Sequence, residues 1–247
     1  MTEDERRRRI RQKLAALPEK PRSLIPTGFD ALDRALGGGL PCGAIVELFG
    51  PAGCGKTALA LRFAASIQQQ GLTAAWIDAE HAFNPVRAAE LGVAIETMPL
   101  LSPDSAEQAL EIARTLSASH AVDLLVVDSA AALVPELELQ SAIGEAGPGL
   151  QTRVLASGLR RLAATVARSA ACILFLNQTR TRRDSSGEDS ETTAGGAPLK
   201  LYAALRIALS PVTIGRVRLR LLKNKAAGAL GTVEIPLPRD PNTTETL

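Results

Sequence analysis

The sequence predicts an α/β protein: a mainly parallel central sheet flanked by helices, with an antiparallel extension. Three observations carry that expectation. Leu124–Asp128 and Ala171–Leu176 are unbroken apolar runs of strand length, the pattern of central strands buried on both faces. Strand-like and helix-like stretches alternate up to the second of these runs, and three strand-like pieces then follow in succession, which adds an antiparallel part. Hydrophobic residues make up 46% of the chain but aromatics only 3%, and the Ala, Leu, Val and Ile that dominate suit a sheet covered by helices.

The 247 residues suffice for one large or two small domains, with a core that needs no disulfide or metal staple. A net charge of only +2 leaves any nucleic-acid affinity to local patches. Cys42, Cys54 and Cys172 are odd in number and lack metal-ligand spacing, so reduced thiols and a cytoplasmic location are expected. No apolar stretch is long enough to span a membrane. The charged N-terminus has no apolar stretch of a secretory signal.

In chain order, residues 1–24 read as a basic helical arm and linker. Acids Glu3 to Glu5 precede Arg6 to Arg9, Arg11 and Lys13, and Ile10, Leu14 and Leu17 form a narrow stripe that either docks on a neighbour or is solvated. Pro18 and Pro21 end it. A helix is expected after Thr27 as N-cap, stopped by Gly37 to Gly39. A strand, Ala44–Phe49, leads into glycine-rich residues and then a helix ending near Gly71. A strand at Thr73–Asp78 and a short helix from Pro85 to Leu91 follow. Asp104 is the expected cap, with Glu107 completing a capping box, of a helix to about Leu116. After the Leu124–Asp128 strand, Pro135 to Gly149 reads as a loop, and Leu150 to Arg168 as an amphipathic helix burying Leu155, Leu159, Leu162 and Val166. Thr179 to Pro198 is polar, glycine-bearing and too long for a simple connection. Strands are expected near Leu201–Ser210, Arg216–Leu222 and Thr232–Leu237, and residues 239–247 read as a disordered tail.

The chemistry is concentrated at Gly50-Pro51-Ala52-Gly53-Cys54-Gly55-Lys56-Thr57, which fits G-x-x-x-x-G-K-[ST] between a strand and a helix. Glycines let successive backbone N–H groups turn inward on a phosphate chain, and the N-terminus of the helix starting near Ala58 adds to that field. Lys56 would reach the outer phosphates and Thr57 would hold Mg²⁺. A helix N-terminus there would also lower the pKa of Cys54, although a filler role is the simpler reading. Hydrolysis further needs a carboxylate to organise the metal and a group to position water. Asp128 ends a buried strand and is assigned the magnesium, through water. Glu80, just past the Thr73–Asp78 strand, is the general-base candidate. Gln178 follows the Ala171–Leu176 strand, where its amide can sense a γ-phosphate.

These stretches resemble the ATPase core of the bacterial RecA recombinase family, a RecA-like P-loop NTPase fold, over residues 25–238. The likeness rests on Gly50–Thr57, Ile77-Asp78-Ala79-Glu80-His81-Ala82, Val126-Val127-Asp128-Ser129, Asn177-Gln178, Glu191 to Gly196 and Lys223-Asn224-Lys225. The resemblance implies a DNA-dependent ATPase of DNA repair, recombination or the SOS response. Its cofactors would be ATP and Mg²⁺. Its partners would be single-stranded DNA and either itself or another protein of the family. It makes Glu80 the catalytic glutamate, Gln178 the nucleotide-to-DNA switch, and Lys223 and Lys225 the pair that reaches a neighbour's ATP, with Lys200 another interface residue. It places two DNA loops at about Glu138–Gly149 and Thr179–Ala194, with Arg153, Arg160, Arg180, Arg182, Gly195 and Gly196 as DNA contacts.

The sequence also departs from the family. Asn84 and Arg87 stand where the family has an Asp and a Tyr near the adenine. Pro148 replaces an apolar residue of the first loop. The second loop lacks the family's apolar wedges and carries three arginines against four acids from Thr179 to Glu191. The sequence stops soon after the core, without the family's C-terminal domain. A regulatory accessory protein of the SOS-mutagenesis type, binding a recombinase or polymerase partner without strand exchange, is the alternative these departures leave open.

Overall fold

The computed structural model describes residues 24–142, 144–145, 147–183, 189–226 and 230–237, with the side chains of 180–183 and 189–191 outside that description. The basic arm and the tail expected at the two ends lie outside the described residues. Strands β1 (Leu24–Ile25) and β2 (Leu40–Pro41) form a small antiparallel pair. The large sheet holds β3 (Ala44–Gly50), β4 (Ala74–Asp78), β5 (Leu100–Leu101), β6 (Leu124–Asp128), β7 (Cys172–Arg183), β9 (Leu205–Thr213), β10 (Arg216–Asn224) and β11 (Gly231–Pro236). Its order is β11-β10-β9-β3-β7-β6-β4-β5. Neighbours from β9 through β5 run parallel, and β10 and β11 add antiparallel to β9. Parallel sheet and antiparallel extension are thus both as the sequence predicts.

Each central strand supplies two cores, because successive side chains point to opposite faces. Val46, Leu48, Trp76, Leu174 and Leu176 face a core with α2 (Lys56–Gln69), which contributes Leu59 and Phe63. Ile45, Ile77, Leu125, Val127, Ile173 and Phe175 face the other. That second core is closed by α4 (Ala106–Ser119), α6 (Leu150–Val166) and the short α7 (Pro198–Tyr202), α1 (Asp30–Leu36), α3 (Pro85–Glu90) and α5 (Glu136–Gln140) being the remaining α-helices of the described residues. Leu155, Leu159, Leu162 and Val166 of α6 are buried as their spacing requires.

Several local expectations are corrected. Thr27 does not cap α1. Phe29 occupies the N-cap position without a side-chain bond, while Thr27 gives its N–H and hydroxyl to Asp33 Oδ1 at 2.9 and 2.8 Å. The α4 cap is Ser105, whose hydroxyl accepts from the Gln108 N–H, and Gln108 reaches back to the Asp104 N–H. Glu107 instead accepts from the Glu136 N–H at 2.9 Å, tying α4 to α5. Pro135 to Gly149 therefore contains one helical turn. The stretch after Gln178 continues β7, pairing antiparallel with β8 (Asp189–Thr193) as a hairpin. Leu201 lies in α7, so β9 starts only at Leu205. In each case, packing or a return strand decided what local propensity left open.

Candidate nucleotide site

Parallel strands deliver their carboxyl ends to one edge, where open α/β sheets bind ligands. Here Gly50 of β3 is in register with Gln178 of β7, and Asp78 of β4 with Asp128 of β6. The glycine-rich loop bridges β3 to α2 with Gly53 and Gly55 at φ 70° and 98°, a region other residues avoid. Gly50 is required for a different reason. A Cβ there would lie 2.2 Å from the Leu209 carbonyl oxygen and 2.9 Å from Cys54 Sγ. Gly50→Ala is expected to cost about 1–3 kcal/mol of stability, measurable as a lowered denaturant midpoint. An unchanged midpoint would mean that β9 yields freely.

Lys56 is buried, and its ammonium donates to the carbonyls of Gly50 at 3.1 Å and Pro51 at 2.7 Å. A phosphate chain seated here would have to offer the ammonium oxygens in place of these two carbonyls. Burial pushes the Cys54 thiol up and outweighs the lowering by Lys56. Burial in the loop thus outweighs the helix end, in keeping with a filler role for Cys54. Pro51, Ala52 and Gly53 are exposed, and Ala58 lies in the first turn of α2, which Lys56 begins.

Across from the loop, the Thr57 hydroxyl donates to Asp128 Oδ2 at 3.0 Å. The Ser129 hydroxyl bonds Glu80 Oε1, and the N–H groups of Ala79 and Glu80 donate to the Asp128 carbonyl at 2.8 and 3.2 Å. Asp78 accepts the N–H groups of Ala82 and Phe83, fixing the turn that carries Glu80. Burial pushes the Asp128 carboxyl up to about 7, with the charges of Glu80 and Asp78 adding to the rise and Thr57 and Lys56 opposing it. A carboxylate this close to losing its charge suits a cation. A loop lined by amides, a nearby hydroxyl and an acid awaiting compensation together fit a magnesium-bound polyphosphate.

Gln178 is half-buried, and its N–H is held by Asn177 Oδ1 at 2.9 Å. Asn84 is exposed and caps α3, accepting from the Arg87 N–H at 3.0 Å. Gly195 and Gly196 pack against the start of α6, beside Leu155 and Thr152, so they stand next to exposed Arg153. Arg160 is exposed on the same side of α6, seven residues on, two turns from the glycines. Arg180 and Arg182 lie on β7, their side chains outside the described residues.

The structure does not bring Lys223 and Lys225 to this edge. Lys223 is in register with Arg206, near the start of β9, whereas the loop follows the end of β3. Its ammonium donates to the carbonyls of Lys200 and Leu201 at 2.8 and 3.1 Å. Burial holds its pKa below the usual lysine range, with Lys225 and Arg206 adding to the lowering and Glu47 opposing it. Lys225 is exposed, and Lys200 is exposed on α7. Sequence reasoning left three participants without a role. Ser129 directly follows Asp128 in the Val126–Ser129 stretch, and that place is its signal in the sequence. Glu47 and Arg206 are opposite charges inside otherwise apolar strands, a pattern that marks buried ion pairs.

A sequence model of the RecA N-terminal domain matches residues 12–237. The chain belongs to the RecA family. Among its relatives, Protein RecA of Thermus thermophilus is 42% identical over 236 residues, covering 91% of this chain and 69% of the relative. That of Roseiflexus sp. strain RS-1 is 46% identical over 214 residues, covering 83% and 61%. That of Chloroflexus aggregans is 45% identical over 213 residues, covering 82% and 61%. The chain thus spans about three-fifths to two-thirds of the length of these family members. Among the described residues no helix is long and apolar enough to cross a membrane.

Proposed function

We propose that this RecA-family chain binds and hydrolyses Mg·ATP and that single-stranded DNA stimulates the turnover, in DNA repair or recombination. The observation that carries the reading is the convergence of Thr57, Asp128 and Glu80 beside the glycine loop. Loop amides from Ala52 to Ala58 and the Lys56 ammonium would hold the phosphates. Thr57 and Asp128, the latter through water, would hold Mg²⁺, which neutralises charge developing on the phosphates. Glu80 would accept a proton from the attacking water, with the Ser129 hydroxyl keeping its carboxylate in place. Gln178, at the base of the β7–β8 hairpin, would report the γ-phosphate to DNA held by the hairpin, Arg153, Arg160 and the backbone of Gly195 and Gly196. Lys223 and Lys225, remote from their own loop, would complete the site of a second copy. Asn84, already engaged as a cap, would border the base.

The test is ATP turnover with and without single-stranded DNA. Stimulated turnover is expected. No turnover combined with tight binding to a full-length recombinase would favour a regulatory partner instead, a reading supported by the second loop's excess of acids over arginines. Arg180→Ala with Arg182→Ala is expected to weaken DNA binding and to reduce the slope of log affinity against log salt by about two. An unchanged slope, read by fluorescence anisotropy across a salt series, would remove the hairpin from the DNA path.

A further inference from the structure

Glu47 is a carboxylate with no exposed surface, in the strand that leads into the glycine loop. Its Oε1 accepts the Asn177 side-chain N–H at 2.9 Å, and its Oε2 pairs with Arg206 Nε at 2.5 Å. The three residues join separate parts of the machine. We propose that Glu47 is a positioning residue that couples the β7–β8 hairpin to the phosphate loop, through Asn177 on one side and Arg206 on the other. The proposal rests on the reading above, that the hairpin meets DNA and the loop meets ATP.

Asn177 is itself fully buried, and its amide is used on every side. Besides Glu47, its Nδ2 donates to the Ala194 carbonyl at 3.1 Å, at the returning end of the hairpin. Its Oδ1 accepts the N–H of Gln178. The base of the hairpin is closed by the Ala194 N–H donating to the Gln178 carbonyl at 3.0 Å. The base of the hairpin therefore cannot shift relative to β3 without loosening the bond from Asn177 to Glu47. On the other side, the Arg206 guanidinium lies 4.6 Å from the centroid of Phe49, the residue before Gly50. Strand register extends the line, since Phe175, Glu47, Arg206 and Lys223 stand opposite one another across β7, β3, β9 and β10. One carboxylate thus meets the hairpin base, a cation clamped on the residue entering the loop, and the row that ends at Lys223.

A buried ion pair is an expensive way to fill space, because apolar residues of similar volume serve stability as well or better. Its use here is specific geometry. Asn177 needs an acceptor from β3 at that height, and Arg206 needs a charge to stay over Phe49. A movement of the hairpin base then alters the partner that Arg206 shares, and the change arrives one residue before the phosphate loop.

The test uses Glu47→Gln in the full chain. Its amide oxygen still accepts from Asn177, but the charge that holds Arg206 is gone. Unstimulated turnover and the KM for ATP are expected to stay near wild type. The DNA-stimulated kcat is expected to fall about tenfold, within the ordinary range of coupling between sites. Asn177→Ala cuts the same line from the other end, so the double variant should lose little more than either single one. Additive losses, or a fall in unstimulated turnover matched by a fall in Tm, would mean a merely structural pair and overturn the proposal. So would full stimulation of both single variants. If Glu47→Gln does not fold, Asn177→Ala alone must show the selective loss. If the wild-type chain is not stimulated by DNA, the parent reading fails and takes the coupling with it. A stimulated wild type with unaffected variants sinks only the role of Glu47.

Discussion

Glu80→Gln is expected to lower ATP turnover by about 10²–10⁴-fold while nucleotide affinity stays near wild type. The amide is isosteric, so the bond from the Ser129 hydroxyl survives. The turn that carries residue 80 is set elsewhere, by the Asp128 carbonyl and by Asp78. What disappears is a group able to take a proton from water. Single-turnover hydrolysis measured beside equilibrium binding of a fluorescent nucleotide separates the two effects. Turnover that survives would place the base elsewhere and leave Glu80 as a neighbour of Ser129. Equal loss of binding and turnover would mean that the turn had moved.

Asp128→Asn is expected to reduce turnover by roughly 10³-fold, the equivalent of several kcal/mol of metal-borne stabilisation. It should also change how stability depends on pH. The folded carboxyl takes up a proton near pH 7, whereas the unfolded one waits until its ordinary value of 3.8. Between those limits the folded state binds more protons, so protonation stabilises it. That contribution is complete below the unfolded value and is lost as pH rises through about 7. Wild-type protein free of nucleotide should therefore melt at higher temperature in mildly acidic buffer than in mildly alkaline buffer. The contribution is of order 2–4 kcal/mol. In Asp128→Asn this dependence should vanish, and the variant should be the more stable protein on the alkaline side. Magnesium nucleotide should erase the difference by favouring the ionised carboxylate and releasing a proton as it binds. Melts over a pH series, with and without nucleotide, check all of this. A wild-type profile insensitive to pH in this window would show that Asp128 is not the strained acid of the site.

Much of the site was legible because its parts are contiguous in the chain. The glycine loop is eight successive residues, and Glu80, Asp128 and Gln178 each end or follow an apolar run that had to be a strand. Once the runs are parallel strands, their carboxyl ends meet at one edge without further information. Helix caps were less legible. Thr27, Asp104 and Ser105 are all competent caps by type, and the choice fell to contacts with Asp33, Gln108 and α5. The hairpin of β7 and β8 was hidden because a polar, glycine-bearing stretch reads as a loop until its two halves find each other.

The amino-acid sequence by itself determined the class of fold, the glycine-rich loop between β3 and α2 and the acids at the same sheet edge, since each follows from local pattern and from the polarity of a strand. The tertiary structure alone decided which buried charges pair, because Glu47 and Arg206 lie 159 positions apart and meet only when β9 takes its place beside β3. It also decided that Lys223 and Lys225 stand away from their own loop, because β10 runs antiparallel to β9 and carries them to the other end of the sheet. A charge buried in a sheet is worth what its neighbours make it, and strand order, which no local stretch encodes, chooses those neighbours.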